Sequence, residues 1–205
     1  MIVMEQVLIA TRNAGKAAEF KQFFSHYHIE ALSMLDLEED IPDVEETGVT
    51  FEENAALKAE EISTKLGIPV LADDSGLVIN ALNGEPGVYS ARYAGLDKND
   101  DANMDKVLKK LQGVSRLERT ARFVCVIALS IPGEKTIFRT GFCEGHIAET
   151  KSGTNGFGYD PIFIPNDQKK TMAELTAEEK NRISHRTKAI QQFDEWIKGY
   201  KERKA

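Results

Sequence analysis

Val70-Leu71-Ala72-Asp73-Asp74-Ser75-Gly76-Leu77-Val78-Ile79 is the stretch that most limits what this chain can become. An apolar run leads into two adjacent carboxylates and emerges into a second apolar run, so Asp73 and Asp74 are carried between two buried segments. Neighbouring acids repel and lose hydration there unless a cation or a solvent-filled cleft compensates them. Ser75 and Gly76 suggest an acidic turn at this point, and Gly84-Glu85-Pro86-Gly87 forces another.

The flanking chain alternates strand and helix signals. Gln6 to Ala10 reads as a short buried strand. The polar turn Thr11-Arg12-Asn13-Ala14-Gly15-Lys16 follows, and then a helix with Ala17, Phe20, Phe23 and Phe24 inward. Between Asp36 and Glu46 seven of eleven residues are acidic, with Pro42 among them, which describes a solvated loop. Thr50 and Glu53 form a capping-box pattern ahead of an apolar stripe through Phe51, Ala55, Ala59, Ile62 and Leu66, closed by Gly67 and Pro69. Running back to the strand at Val70, this helix is expected to start at the end remote from Asp73 and Asp74, unless the loop before it folds over.

Asp97 to Asp101 can cap a helix carrying Met104, Val107, Leu108 and Leu111. Thr120 to Ser130 suits a strand buried on both faces, and Pro132-Gly133 turns it into a second strand from Thr136 to Thr140, with Phe142 to Ile147 extending or following it. Gly153 to Asp160 is a glycine-rich loop with two aromatics, followed by strand-like Pro161 to Ile164. Thr176 with Glu179 offers another capping box, and a closing helix runs from about Ser184 to Tyr200.

One core accounts for 205 residues without a linker, so a single domain, two-lobed at most, is expected over residues 1–205. No apolar run approaches a membrane span, and Met1 to Gln6 lacks the basic and apolar regions of a leader, which points to a cytoplasmic protein. A net charge of -7 argues against a nucleic-acid-binding role, while leaving room for a small anionic ligand held by a few aimed donors. Cys125 and Cys143 fit no metal or disulfide spacing and read as reduced, half-buried thiols.

Four groups of residues can carry chemistry. Glu45 or Glu46 together with Asp73 or Asp74 meets the need of Mg2+, which takes one or two carboxylates and completes its shell with water and phosphate oxygens. Thr11 to Lys16, a strand-turn-helix with a lysine, is a candidate anion site that lacks the Walker A pattern; a solvated turn competes with it. Phe157 and Tyr159, flanked by glycines, offer rings on which a base can stack, or else core aromatics in a buried turn. Ser184-His185-Arg186 supplies donors suited to purine O6 or N7. Asp74-Ser75-Gly76 also matches the aspartic-protease turn, which requires a second copy from a symmetric partner.

Taken together, Thr11-x-Asn13-x-x-Lys16, Glu45-Glu46-Thr47-Gly48 through Phe51-x-Glu53-Asn54-Ala55, Ala72 to Leu77, Gly84-x-Pro86-Gly87-x-Tyr89-Ser90-Ala91-Arg92-Tyr93, Gly156 to Phe163 and Ser184-His185-Arg186 resemble the inosine triphosphate pyrophosphatase (Ham1-like) family from about Val7 to Trp196. The resemblance implies an elongated α/β fold with a mixed sheet flanked by helices, two lobes with a central cleft, and a homodimer. It also implies Mg2+-dependent hydrolysis of non-canonical purine nucleoside triphosphates such as ITP, dITP and XTP to the monophosphate and pyrophosphate. On that resemblance Thr11, Arg12, Asn13, Ala14, Gly15 and Lys16 grip the triphosphate, Glu45 and Asp74 hold Mg2+, and Asp74 is the proton acceptor with Ser75 touching substrate. Phe157, Gly158, Tyr159, Asp160, Lys180, His185 and Arg186 surround the base. Arg12 departs from the small residue common at its position. Selectivity would rest on the purine six-position, an acceptor in hypoxanthine and xanthine and a donor in adenine; guanine shares O6, so its rejection rests on its two-amino group. A nucleotide sensor without hydrolysis and an aspartic protease are the alternatives.

Overall fold

The computed structural model describes residues 4–38 and 41–204. Met1 to Val3, part of the segment read for a leader, and Glu39 and Asp40 of the acidic loop lie outside the described residues. The fold is α/β, with a mixed six-stranded sheet in the order β2-β1-β3-β4-β5-β6. Its strands are β1 (Gln6–Ile9), β2 (Glu30–Ser33), β3 (Val70–Ile79), β4 (Thr120–Ser130), β5 (Ile137–Ile147) and β6 (Phe163–Pro165). Among the described residues five α-helices accompany it: α1 (Ala14–Ser25), α2 (Phe51–Leu66), α3 (Asp100–Lys110), α4 (Ala177–Ile183) and α5 (His185–Lys204).

Contacts divide the chain into two compact units. One comprises the segment up to Asp74 with Val126–Thr140 and the segment from Ala189; the other comprises Ser75–Cys125 and Gly141–Lys188. In the first, β1 pairs in parallel with β2 on one side, Leu8 opposite Leu32, and with β3 on the other, Ile9 opposite Leu71. Leu8, Met34, Ile41, Ile62 and Val70 form an apolar cluster there. The chain therefore leaves β1 through α1 to β2, then returns through α2 to β3 on the opposite flank. Right-handed crossovers in opposite directions place α1 and α2 on opposite faces of the three strands. In the second unit the core gathers Leu77, Ile79, Met104, Val107, Leu111, Phe123, Phe163 and Met172, and β5 pairs antiparallel with β6.

Local signals account for many element ends. Thr50 and Glu53 form the reciprocal capping box of α2, and Gly67 closes that helix in a left-handed conformation at φ 68°. Thr176 and Glu179 do the same at the start of α4. The expected strands from Thr136 to Thr140 and from Phe142 to Ile147 merge, from Ile137 on, into one strand, β5.

Two expectations are corrected. Asp73-Asp74-Ser75-Gly76 is not a turn: β3 runs unbroken through it as a ten-residue strand. The repulsion that argued for a turn is relieved instead by strand geometry, because successive side chains project to opposite faces. The start of α2 is also not remote from the paired acids. Since α2 runs antiparallel to β3, its first turns lie beside the carboxyl end of the first half of that strand, where Asn54 reaches Asp74.

Candidate active site

In an open parallel sheet, ligands bind beyond the carboxyl ends of the strands where the winding reverses. Here the reversal lies between β1 and β3: Thr11–Lys16 follows the end of β1, and Asp73–Asp74 lie within β3 just past Val70 and Leu71, the residues that pair with β1. Asn13 caps α1, its side chain accepting from the Lys16 amide at 3.0 Å, while the Thr11 hydroxyl accepts from the Asn13 amide at 3.1 Å. Ala14 and Gly15 open the helix, where amides lack intrahelical acceptors and the dipole favours an anion.

Strand alternation divides the two aspartates between the helices. Asp73 faces α1, and its carboxylate takes the Lys16 ammonium at 2.7 Å. Asp74 faces α2, and its Oδ2 accepts from Asn54 Nδ2 at 3.1 Å. Asn54 is wholly buried, and its other end is committed as well: Oδ1 accepts from the Gly48 amide at 2.8 Å. The amide orientation follows from this pair, since only Nδ2 can donate to a carboxylate. A Cβ at Gly48 would lie 2.7 Å from Asn54 Oδ1, so glycine permits the approach that brings the 45–48 loop against α2.

Lys58, one turn further along α2, donates to Glu46 at 2.9 Å and to the Asp73 carbonyl at 2.6 Å. Burial works against its charge, yet the Asp73, Glu46 and Asp74 carboxylates outweigh it and hold the lysine above its ordinary pKa. Asp74, only 7% exposed, shows the reverse. Burial pushes its pKa from 3.8 to about 6, with Glu46 and Asp73 adding to the shift and Lys58 and the Asn54 hydrogen bond opposing it. Three acids, Asp73, Asp74 and Glu46, and two lysines, Lys16 and Lys58, are thus gathered in a partly desolvated place.

Carboxylates in this setting suit a divalent cation that takes one or two of them and shares its shell with phosphate oxygens, although among the described residues no three His, Cys, Asp or Glu side chains are gathered as a metal cage. Of the two glutamates read as ligands, Glu46 lies in the electrostatic field of Asp74, whereas Glu45 is exposed. Arg12 turns to the acidic loop, donating to Asp43 at 3.2 Å and to the Ile41 carbonyl at 2.6 Å. Ser75 follows Asp74 in β3 and opens the second unit.

The residues that the family resemblance assigns to the base all belong to that second unit. Asp160 Oδ2 accepts from the Phe157 amide at 3.0 Å and from Lys180 Nζ at 2.5 Å. Lys180 Nζ also lies 5.0 Å from the centre of the Phe157 ring, which is 47% exposed. Gly156, at φ 79°, is needed because a Cβ there would come within 2.0 Å of Asp160 Oδ2. Tyr159 is buried, its hydroxyl donating to the Ser90 carbonyl at 2.7 Å, so of the two loop aromatics Phe157 alone offers a ring face to solvent. His185 and Arg186 are buried in the first turn of α5, and the imidazole stacks on Phe123 with centroids 5.0 Å apart.

Sequence reasoning misses Asn54 and Lys58. Their signal is present all the same: a polar pair four residues apart on a helix whose capping is strong enough to fix its register. The aspartic-protease reading loses its basis, because Asp74-Ser75-Gly76 is extended strand. Both cysteines are free and buried, and burial pushes the Cys143 thiol up to about 11.

The model of the Ham1 family matches residues 7–196. The dITP/XTP pyrophosphatase of Oceanobacillus iheyensis is 59% identical over 95% of this chain and 98% of its own length. That of Bacillus subtilis is 52% identical over 96% and 99%. Among solved structures, the Staphylococcus aureus Ham1 protein superposes with a TM-score of 0.88 at 48% identity, covering 95% of this chain and 99% of that one.

Proposed function

This chain belongs to the Ham1 family, and from that premise we propose that it hydrolyses non-canonical purine nucleoside triphosphates, dITP and XTP and with them ITP, to the nucleoside monophosphate and pyrophosphate. The observation that carries the reading is the buried, base-like Asp74 set among Asn54, Lys58, Glu46, Asp73 and Lys16 at the reversal of the sheet.

The allocation of roles follows from the chemistry of each group. Lys16, the amides at the start of α1 and Thr11 to Asn13 bind the polyphosphate, and phosphate competes with Asp73 for the Lys16 ammonium. Lys58 adds a second positive charge close to Asp74. Attack of water on the α-phosphorus requires a proton acceptor, and an ordinary aspartate is a feeble one; a carboxylate with a pKa of about 6 is better matched to neutral pH while still largely ionised there. Asn54, fixed from behind by Gly48, holds the Asp74 carboxylate in one orientation for that transfer. Asp74 with Glu45 or Glu46 would hold Mg2+, which when bound supplies charge neutralisation of the leaving pyrophosphate and acidifies nearby water. In the other unit Phe157 stacks on the base, and Arg186 and His185 supply donors that favour an O6 acceptor over the adenine amino group. A cytoplasmic setting and a homodimer belong to the same proposal.

Pyrophosphate release from a panel of ITP, dITP, XTP, ATP and GTP, with Mg2+ and with EDTA, tests it. Turnover of the first three only, abolished by EDTA, is expected. Equal cleavage of ATP would contradict the selectivity, and unchanged turnover in EDTA would contradict the metal.

A further inference from the structure

Phe157 poses a question that stacking alone leaves open. An exposed ring on a glycine-rich loop would ordinarily wander, and immobilising it on binding costs about 0.5–1.5 kcal/mol per side chain together with the ordering of its loop. Here the two peptide N–H groups bracketing the ring are both held by carboxylates. The amide of Phe157 itself donates to Asp160 Oδ2 at 3.0 Å, and the next amide, of Gly158, donates to Asp100 Oδ2 at 2.7 Å. Asp160 is the loop's own residue, but Asp100 comes from the first turn of α3, 58 positions away in sequence.

Asp100 is free of capping duty, because Asn99 already caps α3 by accepting from the Ala102 amide at 3.0 Å. The same helix also grips the root of the loop: Lys151 Nζ sits 2.5 Å from Asp101 Oδ1 and 2.7 Å from Asp105 Oδ1. Gly158, at φ 62°, takes the left-handed conformation in which a side chain is strained. The acidic run before α3, readable from sequence only as a helix cap, therefore has a second use.

We infer that Asp100 is a positioning residue for base recognition: through the Gly158 amide, α3 holds the 153–160 loop so that the Phe157 ring is presented ready to stack on the purine. This rests on the reading of Phe157 as the base platform. Its energetic expression is uniform binding, which moves KM and leaves kcat in place.

The test compares the full-length wild type with Asp100→Ala and Asp100→Asn. For Asp100→Ala, KM for ITP rises roughly 5- to 10-fold, the scale of one hydrogen bond, with kcat within about twofold. Amide exchange in peptides covering 153–160 speeds up roughly tenfold while peptides from α3 keep their wild-type exchange. Asp100→Asn retains an acceptor at the position and returns both readouts to within about threefold of wild type. Wild-type KM and loop exchange in Asp100→Ala would overturn the inference, as would faster exchange throughout α3 with a lowered Tm, which would make the role merely structural. Loss of the base-platform reading is distinguishable: Phe157→Ala would then bind ITP as wild type does, even with the loop loosened in Asp100→Ala.

Discussion

Burial of Asp74 costs the fold stability. Its pKa in the folded protein is about 6 against 3.8 unfolded, so between those values the folded state binds more protons, and stability falls as pH rises through that window. Above about pH 6 the full penalty is present, at most roughly 3 kcal/mol for a pKa displaced this far. In EDTA at pH 7, Asp74→Asn is therefore expected to be as stable as wild type or more so, by up to about 3 kcal/mol, the gap closing near pH 4; denaturant titrations at both pH values read this directly. Lys58 is the opposite case. Lys58→Met leaves Glu46, Asp73 and Asp74 crowded together without their shared cation, and a loss of roughly 3–5 kcal/mol in the same titration is expected. The two residues differ in legibility for a physical reason. Asp74 stands out in sequence because an acid beside an apolar strand is costly anywhere, whereas Asn54 and Lys58 are ordinary helix residues until the antiparallel packing of α2 on β3 turns them toward that acid.

Elements whose ends are set by neighbouring residues are the legible ones. The capping boxes of α2 and α4, the apolar run of β4 and the glycine that closes α2 all act within a few residues of where they are read. The unbroken course of β3 is not legible, since what makes it tolerable, Lys16 on one face and Asn54 with Lys58 on the other, comes from segments remote in sequence. β2 carries too short and too polar a pattern to register, and with it goes the strand order that places the site. Arg119 is a similar long-range device: a buried guanidinium that donates to the carbonyls of Leu111, Val114 and Ala148, closing the end of α3. Arg119→Met strands those acceptors and is expected to cost roughly 3 kcal/mol, visible as a fall in Tm. Thr50→Ala removes one half of the α2 capping box and is expected to cost about 1 kcal/mol.

Across the whole molecule, the groups proposed to bind polyphosphate and those proposed to bind the base belong to different compact units, and a unit boundary falls between Asp74 and Ser75. Among the described residues no helix is long and apolar enough to cross a membrane. The proposed Mg2+ site at Asp74 gives a prediction for the intact protein. Mg2+ is expected to bind the folded chain there and to raise its Tm, by an amount equivalent to about 2.7 kcal/mol at a hundredfold excess over Kd, and Asp74→Asn is expected to lose the effect. The central claim, that a buried carboxylate at the sheet's reversal accepts the proton from the attacking water, is tested most directly by measuring pyrophosphate released from ITP in Mg2+ by wild type and Asp74→Asn, side by side with their Tm values in EDTA. The expected result is a loss of about a thousandfold or more in the variant, with a Tm equal to or above that of wild type. Wild-type turnover by Asp74→Asn, or a loss of activity that merely follows a collapse in Tm, would contradict it.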